Sequence, residues 1–348
     1  FDEVQYAQDW DKWLKTIYDM QPDTKVVATR SASPALMKGT SESGTGRWSV
    51  IQVPTMSFYE YCELKDVPKP DLSPAVNITS LLHKSRQERT QIMLQLSKVY
   101  PHFSRYLLVG GFPELALADN DLMAQQILRE DVVDKVLKRD LPSLYPIRNS
   151  TELERIFLYL CNVSSSVVSI EAIAKELQGI SRPTVENYIR YLESANLIYQ
   201  SWPIDIADAA LRNAVLMDDS ILTDPVEMGK VVETAVYKHV AAFYYQKATS
   251  VGYYRGRRKD KEIDVVVEYA NHKNILIEVK YREGAPISDN DAICQLCKEA
   301  SAAIVVTKNE NDYGVHNTAS GDELIRIPAF AFLYLLGHAE KNGYKGIE

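Results

Sequence analysis

The sequence predicts an α/β protein built from several domains. Three observations carry that prediction. The chain has 348 residues, more than one ordinary hydrophobic core accommodates. Its composition, 46% apolar and 25% charged, is that of a soluble globular protein. Apolar runs that suit adjacent strands, Ile263–Val267 and Ile275-Leu276-Ile277, stand among segments with helical spacing. The chain is expected to divide into residues 1–66, 67–148, 149–205 and 206–348.

The first unit opens on Phe1-Asp2-Glu3-Val4-Gln5, the tail of a strand ending in two acids. A helix-like segment runs to about Tyr18, and Thr24–Thr29 reads as a strand leading into Arg30-Ser31-Ala32-Ser33. Gly44-Thr45-Gly46-Arg47-Trp48, a short strand Val50–Val53 and Pro54-Thr55-Met56-Ser57-Phe58-Tyr59-Glu60-Tyr61 follow. After the proline-rich Val67–Pro74 the pattern is helical through about Arg139. Gly110-Gly111-Phe112-Pro113-Glu114 interrupts it as a turn between helices, because glycine permits tight backbone and proline ends helical continuity.

Residues 151–200 form a small unit. Leu153, Ile156, Phe157 and Leu160 share one helical face. Ser169 is placed to cap Ile170–Leu177, and Pro183 sits in the first turn of a helix reaching Ala195. With the strand Leu197–Gln200, these elements read as a winged helix-turn-helix. If its second helix entered a DNA major groove, Arg182, Thr184, Asn187 and Arg190 would lead. Glu186 and Glu193 on the same helix suit a spacer or a protein contact equally well.

The last unit carries the sharpest chemistry. Strand side chains alternate faces, so Glu278 and Lys280 point together and Val279 points away. Asp264, on the strand before, joins them. Two carboxylates suit Mg²⁺, a hard cation that prefers oxygen ligands, and an adjacent lysine can orient an attacking water. The same residues also suit a surface hairpin with solvated charges. Arg255, Arg257, Arg258, Lys259 and Lys261 make a basic run before Asp264, with Tyr253 and Tyr254 ahead of it, a placement that suits phosphate-backbone contact.

The formal charge of −8 and pI near 5.4 exclude a global attraction to nucleic acid, so any contact must be local. No signal peptide or membrane span is visible, and Pro328–Leu336 falls short of the roughly 20 residues a span needs. Cys62, Cys161, Cys294 and Cys297 fit a reducing cytoplasm; the lone C-x-x-C lacks a second pair or nearby histidine for zinc.

Two resemblances follow from these residues. Residues 1–66 and the helical stretch after them resemble the C-terminal half and lid of a prokaryotic P-loop AAA+ ATPase core. Pro54, Ser57, Phe58 and Glu60 match its Pro-x-x-Ser-Phe-x-Glu signature, although Val53 and Met56 stand where leucines are usual. The resemblance implies that Asp2 holds the water shell of Mg²⁺ and Glu3 polarises the attacking water. It also implies that Thr29 or Ser31 senses the nucleotide, and that Arg47 reaches a phosphate across subunits of an oligomer. No G-x-x-x-x-G-K-[ST] loop occurs in these residues, so ATP hydrolysis is not expected of this chain alone, and the loop is expected upstream.

Residues 206–348 resemble the PD-(D/E)XK, restriction-endonuclease-like superfamily. That resemblance adds Glu233, on the first helix, and Gln295, after the lysine strand, to Asp264, Glu278 and Lys280. Together they imply a cytoplasmic AAA+ protein, using ATP and Mg²⁺, coupled to a DNA-acting nuclease-like domain. The alternatives are a nucleotide-controlled binding or scaffold protein whose nuclease-like fold no longer cuts, and a transcriptional regulator using the winged helix alone.

Overall fold

A computed structural model describes residues 1–7, 9–29, 49, 51–164, 168–200, 204–217, 221–256, 261–270 and 274–343. Ser31, Arg47, Arg257 and Arg258 lie outside the described residues.

The front begins with residues 1 and 2 lying beside 27–29. Phe1 N donates to Val27 O (2.9 Å), and Thr29 N donates back to Phe1 O (2.9 Å), the exchange of a parallel pair. Helix α1 (Trp10–Met20) is strongly amphipathic yet buries none of its residues. The described residues between 51 and 57 carry no strand where Val50–Val53 was expected. Helix α2 (Phe58–Leu64) starts on a reciprocal cap: Glu60 N donates to Ser57 Oγ, and Ser57 N donates to the Glu60 carboxylate.

The helical middle comprises α3 (Arg86–Leu96), α4 (Phe103–Val109), α5 (Pro113–Leu117) and α6 (Asp121–Ile127). The chain then winds as π-helix over Leu128–Asp134 and Val136–Asp140 before α7 (Leu141–Leu144). Three helices follow: α8 (Ser150–Asn162), α9 (Ile170–Glu176) and α10 (Arg182–Ser194). Ser169 and Ser181 cap the last two, accepting from Ala172 N and Thr184 N. Strand β1 (Ile198–Gln200) pairs antiparallel with β2 (Ile204–Ile206), giving a short ribbon after the three helices.

Helix α11 (Ala209–Leu216) leads to the long α12 (Pro225–Tyr244). A six-stranded mixed sheet follows: β3 (Ser250–Arg255), β4 (Glu262–Glu268), β5 (Asn274–Lys280), β6 (Ala302–Thr307), β7 (Gly314–Asn317) and β8 (Glu323–Pro328), in the order β3-β4-β5-β6-β8-β7. The pairs β3–β4, β4–β5 and β7–β8 are antiparallel; β5–β6 and β6–β8 are parallel. The short helix α13 (Ala292–Leu296) lies in the crossover from β5 to β6, and α14 (Ala329–Lys341) closes the fold.

The period-2 pattern of β4 and β5 separates two faces. Val265, Val267, Ile275, Ile277 and Val279 join the main core with α12 and α14. Val266 and Leu276 join a second cluster with Ile293 and Cys294 of α13. Between Val266 and Ile263, β4 advances three residues while β3 advances two, from Gly252 to Tyr254. This bulge returns Ile263 to the α13 face and breaks regular pairing beside Asp264.

Front and sheet domain meet in a buried polar junction. Lys238 of α12 and Asp208, the cap of α11, are 2.8 Å apart and only 3% and 2% exposed. Lys238 Nζ also donates to Met56 O (2.8 Å), and Thr55 Oγ1 donates to Asp208 Oδ2 (2.7 Å). Tyr106 OH donates to Met56 O, and Phe58 N donates to His239 Nε2. The turn after α4 fits around this knot: Gly110 has φ 66°, and a Cβ there would overlap Asp208 Oδ1. A Cβ on Gly111 would lie 2.8 Å from Lys238 Nζ and closer still to Met56 O. The glycines of the Gly-Gly-Phe-Pro turn thus admit a buried ion pair.

Candidate functional site

Asp264 and Glu278 occupy neighbouring antiparallel strands, one step beyond the paired Val265 and Ile277. Asp264 Oδ2 accepts a 2.6 Å hydrogen bond from Val279 N, which fixes the carboxyl against the β5 backbone. Glu278 Oε1 lies 3.8 Å from Lys280 Nζ, and the two side chains are 18% and 13% exposed. Glu278 Oε2 is buried and has no hydrogen-bond partner among the described residues. Lys280 is held more closely by Asp291, the residue before α13, at 2.9 Å.

Burial opposes ionisation of both acids, and each is in the other's field. Burial first, then the nearby Glu262 charge, raises Asp264 to about 6 against the pull of Lys280 and the Val279 N–H. Burial and then the Asp264 charge raise Glu278 to about 8. Tyr253 places its hydroxyl beside Glu262, and burial with that carboxylate pushes its pKa up.

A divalent cation fits this pair. Both ligands are hard oxygens, one of them a buried atom without a protein partner among the described residues, and a dication would offset the burial and the neighbouring negative charge that oppose ionisation. No group of three or more His, Cys, Asp or Glu with metal-holding geometry occurs among the described residues, so water or substrate would complete the shell.

The structure brings together Asp264, Glu278 and Lys280. Gln295 lies on α13, where its carbonyl oxygen accepts from Lys261 Nζ and its amide donates to Asn290 O (3.3 Å). Glu233 is half-buried on α12, which covers the opposite face of the sheet. Arg255 is paired with Glu262 (2.8 Å). In the three-helix unit, Arg182 is shared by Glu171 (2.7 Å) and Glu186 (3.0 Å), while Arg190 bonds Asn187. At the front, Thr29 Oγ1 donates to Asp2 Oδ1, which also accepts from Glu3 N (3.1 Å). Glu3 itself adopts a left-handed backbone, φ 52°.

Asp291 and the Asp208–Lys238 pair escape the sequence reading. Asp291 stands 11 residues beyond Lys280, outside any motif spacing, and only the crossover geometry joins them. Lys238 sits at the apolar core of a helix, and that anomaly was a usable signal for a buried partner.

Comparison with known proteins finds three family matches along the chain. Residues 1–62 match an AAA domain, residues 100–217 a domain of unknown function (DUF8612), and residues 228–330 another domain of unknown function (DUF4143). Among its relatives are two uncharacterized proteins of Methanocaldococcus jannaschii. MJ1544 is 24% identical over 290 residues, covering 81% of this chain and 60% of the relative. MJ1637 is 23% identical over 295 residues, covering 80% and 60%. The chain therefore spans about three fifths of the length of either relative. No solved structure matches it. The AAA and DUF4143 matches, with these archaeal relatives, suggest an AAA-type ATPase-like family and nucleotide binding. No described helix is long and apolar enough to cross a membrane.

Proposed function

We propose that this chain joins an AAA-type, ATP- and Mg²⁺-binding module to a metal-dependent, nuclease-like domain that acts on DNA. The observation that carries the reading is the half-buried Asp264–Glu278 pair, with an unpartnered Glu278 oxygen and Lys280 beside it. In this reading Asp264 and Glu278 hold Mg²⁺, which when bound polarises a phosphate oxygen and lowers the pKa of water. Lys280 orients the attacking water and Gln295 lines the α13 side; Glu233, on the far face of the sheet, takes no direct part. Tyr254 and Arg255, exposed on the edge strand β3, and Lys261 lie where a phosphate backbone would pass.

At the front, Asp2, which accepts from Thr29 Oγ1, would hold the metal-water shell, Thr29 would sense the nucleotide and Glu3 would polarise the attacking water. Ser31 and Arg47 retain the roles that the AAA+ resemblance implies. Three helices followed by a β-ribbon support a winged-helix reading of residues 149–205, and an AAA module supports self-association. The protein is read as cytoplasmic.

The test is incubation of the protein and Glu278→Ala with plasmid, linear, branched and single-stranded DNA in Mg²⁺ or Mn²⁺. Cleavage by the parent and not by the variant is the expected result; equal cleavage by both would remove Asp264–Glu278 as its source. A second reading, a nucleotide-controlled binder that does not cut, draws on the acid pairing of Arg182 and Arg255, which spends charge that DNA would need. It predicts a stable protein complex and no metal-dependent cleavage.

A further inference from the structure

Lys280 is anchored by a residue that belongs to none of the recognised motif positions. Its ammonium is 2.9 Å from Asp291 Oδ2 and 3.8 Å from Glu278 Oε1, so Asp291 is the nearer ionic partner. Asp291 occupies the position before α13 with extended backbone (φ −63°, ψ 145°), where an aspartate ordinarily accepts from the first-turn N–H groups. It makes no such side-chain cap. The carboxylate turns instead to Lys280 and to Ser288 N, which donates at 3.1 Å and fixes it from the loop side. The same short helix is braced again one turn on, where Gln295 accepts from Lys261 at the entrance to β4. Two lysines flanking the two acidic strands are thus both secured to α13.

We propose that Asp291 is the positioning residue of this site: it holds Lys280 beside the Asp264–Glu278 pair, where the lysine can orient water. The inference rests on the nuclease-like reading of those three residues. Forgoing a helix cap has a stability cost, and the diverted carboxylate places a long, flexible ammonium at one point. Without it, Lys280 retains only the looser contact with Glu278 and swings among rotamers. Misplacement of that size slows a reaction without changing how substrate binds.

Asp291→Ser separates the two roles of the position. Serine caps the helix but cannot pair with lysine, so the fold is kept and the tether is lost. Cleavage kinetics are compared among parent, Asp291→Ser and Asp291→Glu, together with acetylation of Lys280 by a water-soluble acylating reagent, read by peptide mass spectrometry. Lys308, paired with Glu283 elsewhere, is the internal control. The expected result for Asp291→Ser is a kcat lower by about 10- to 100-fold. Its KM stays within about two-fold. Lys280 acetylation rises several-fold, that of Lys308 does not change, and Asp291→Glu recovers most of both effects.

Acetylation of Lys280 at the parental rate in Asp291→Ser overturns the tether, and an unchanged kcat overturns the positioning role. A parent that cuts no substrate, with Lys280 still released in Asp291→Ser, overturns the nuclease reading and retains the tether. Cleavage by a parent whose Lys280 is indifferent to Asp291 does the reverse.

Discussion

Glu278 is the residue at which chemistry and stability pull apart most clearly. Its folded pKa stands above the ordinary value, so in the metal-free protein the folded state holds a proton that the unfolded state has lost. Stability therefore falls as pH rises from the usual carboxyl range toward about 8. Glu278→Gln keeps the shape and removes the charge. At about pH 8, in divalent-free buffer, it is expected to raise unfolding stability by roughly 1–3 kcal/mol in urea titrations. Near about pH 5 the gain should shrink, because the parent is then largely neutral at that position. Equal stability of parent and variant at both pH values would show that Glu278 is not buried against Asp264. Gly110 gives a prediction of opposite sign. Its positive φ and the overlap of any Cβ with Asp208 should make Gly110→Ala lose about 2–4 kcal/mol, measured as the shift in urea midpoint.

Elements differ in how much of them could be read in advance. The strands β4 and β5 follow directly from Ile263–Val267 and Ile275–Ile277, because a half-buried sheet enforces alternation. The helices at 150–162, 170–176 and 182–194 were announced by apolar spacing and by capping serines. The last of these starts at Arg182, capped by Ser181 and with Pro183 in its first turn. The junction between α11, α12 and the residues before α2 could not be read in this way. Asp208 and Lys238 are 30 positions apart, and Lys238 reaches Met56 across 182. No local pattern encodes such a pairing. There, burial works against the Asp208 charge, but the Lys238 ammonium and the bonds from Thr55 and Ala210 overcome it and hold the carboxyl below its usual value. Removing one partner leaves the other as an uncompensated buried charge. Lys238→Met and Asp208→Asn should each cost about 3–5 kcal/mol, and the double variant should cost clearly less than the sum. Additive losses in that cycle would mean that the two residues do not share one network.

For the whole molecule, the junction and the acid pair set opposing pH dependences. His239 is neutral when folded: burial, then the neighbouring Lys238, lower its pKa to about 3, and Nε2 is occupied in accepting from Phe58 N. An unfolded histidine takes a proton below about pH 6.5, so the junction loses stability as pH falls through that value. Asp208, also depressed, adds a further loss only when pH drops below the ordinary aspartate range. The Asp264–Glu278 pair does the opposite, gaining stability as pH falls from about 8 toward the usual carboxyl range. In divalent-free buffer the two trends offset each other, and the profile of urea midpoint against pH should be broad. A bound dication keeps both site carboxylates ionised and cancels their contribution to the acid side, so with saturating Mg²⁺ the maximum should move to higher pH. Glu278→Gln, measured over the same range, should show no Mg²⁺-dependent displacement while keeping the acid loss that belongs to His239. A parent profile indifferent to Mg²⁺ would mean that the carboxyl pair takes no divalent cation. The AAA match ends at residue 62, just beyond Met56 and Phe58, and the DUF4143 match begins at 228, ahead of Lys238 and His239. Proton uptake at the junction would therefore loosen the contact between the residues of the AAA match and the sheet domain, whereas metal uptake at the proposed site would act only within the sheet domain.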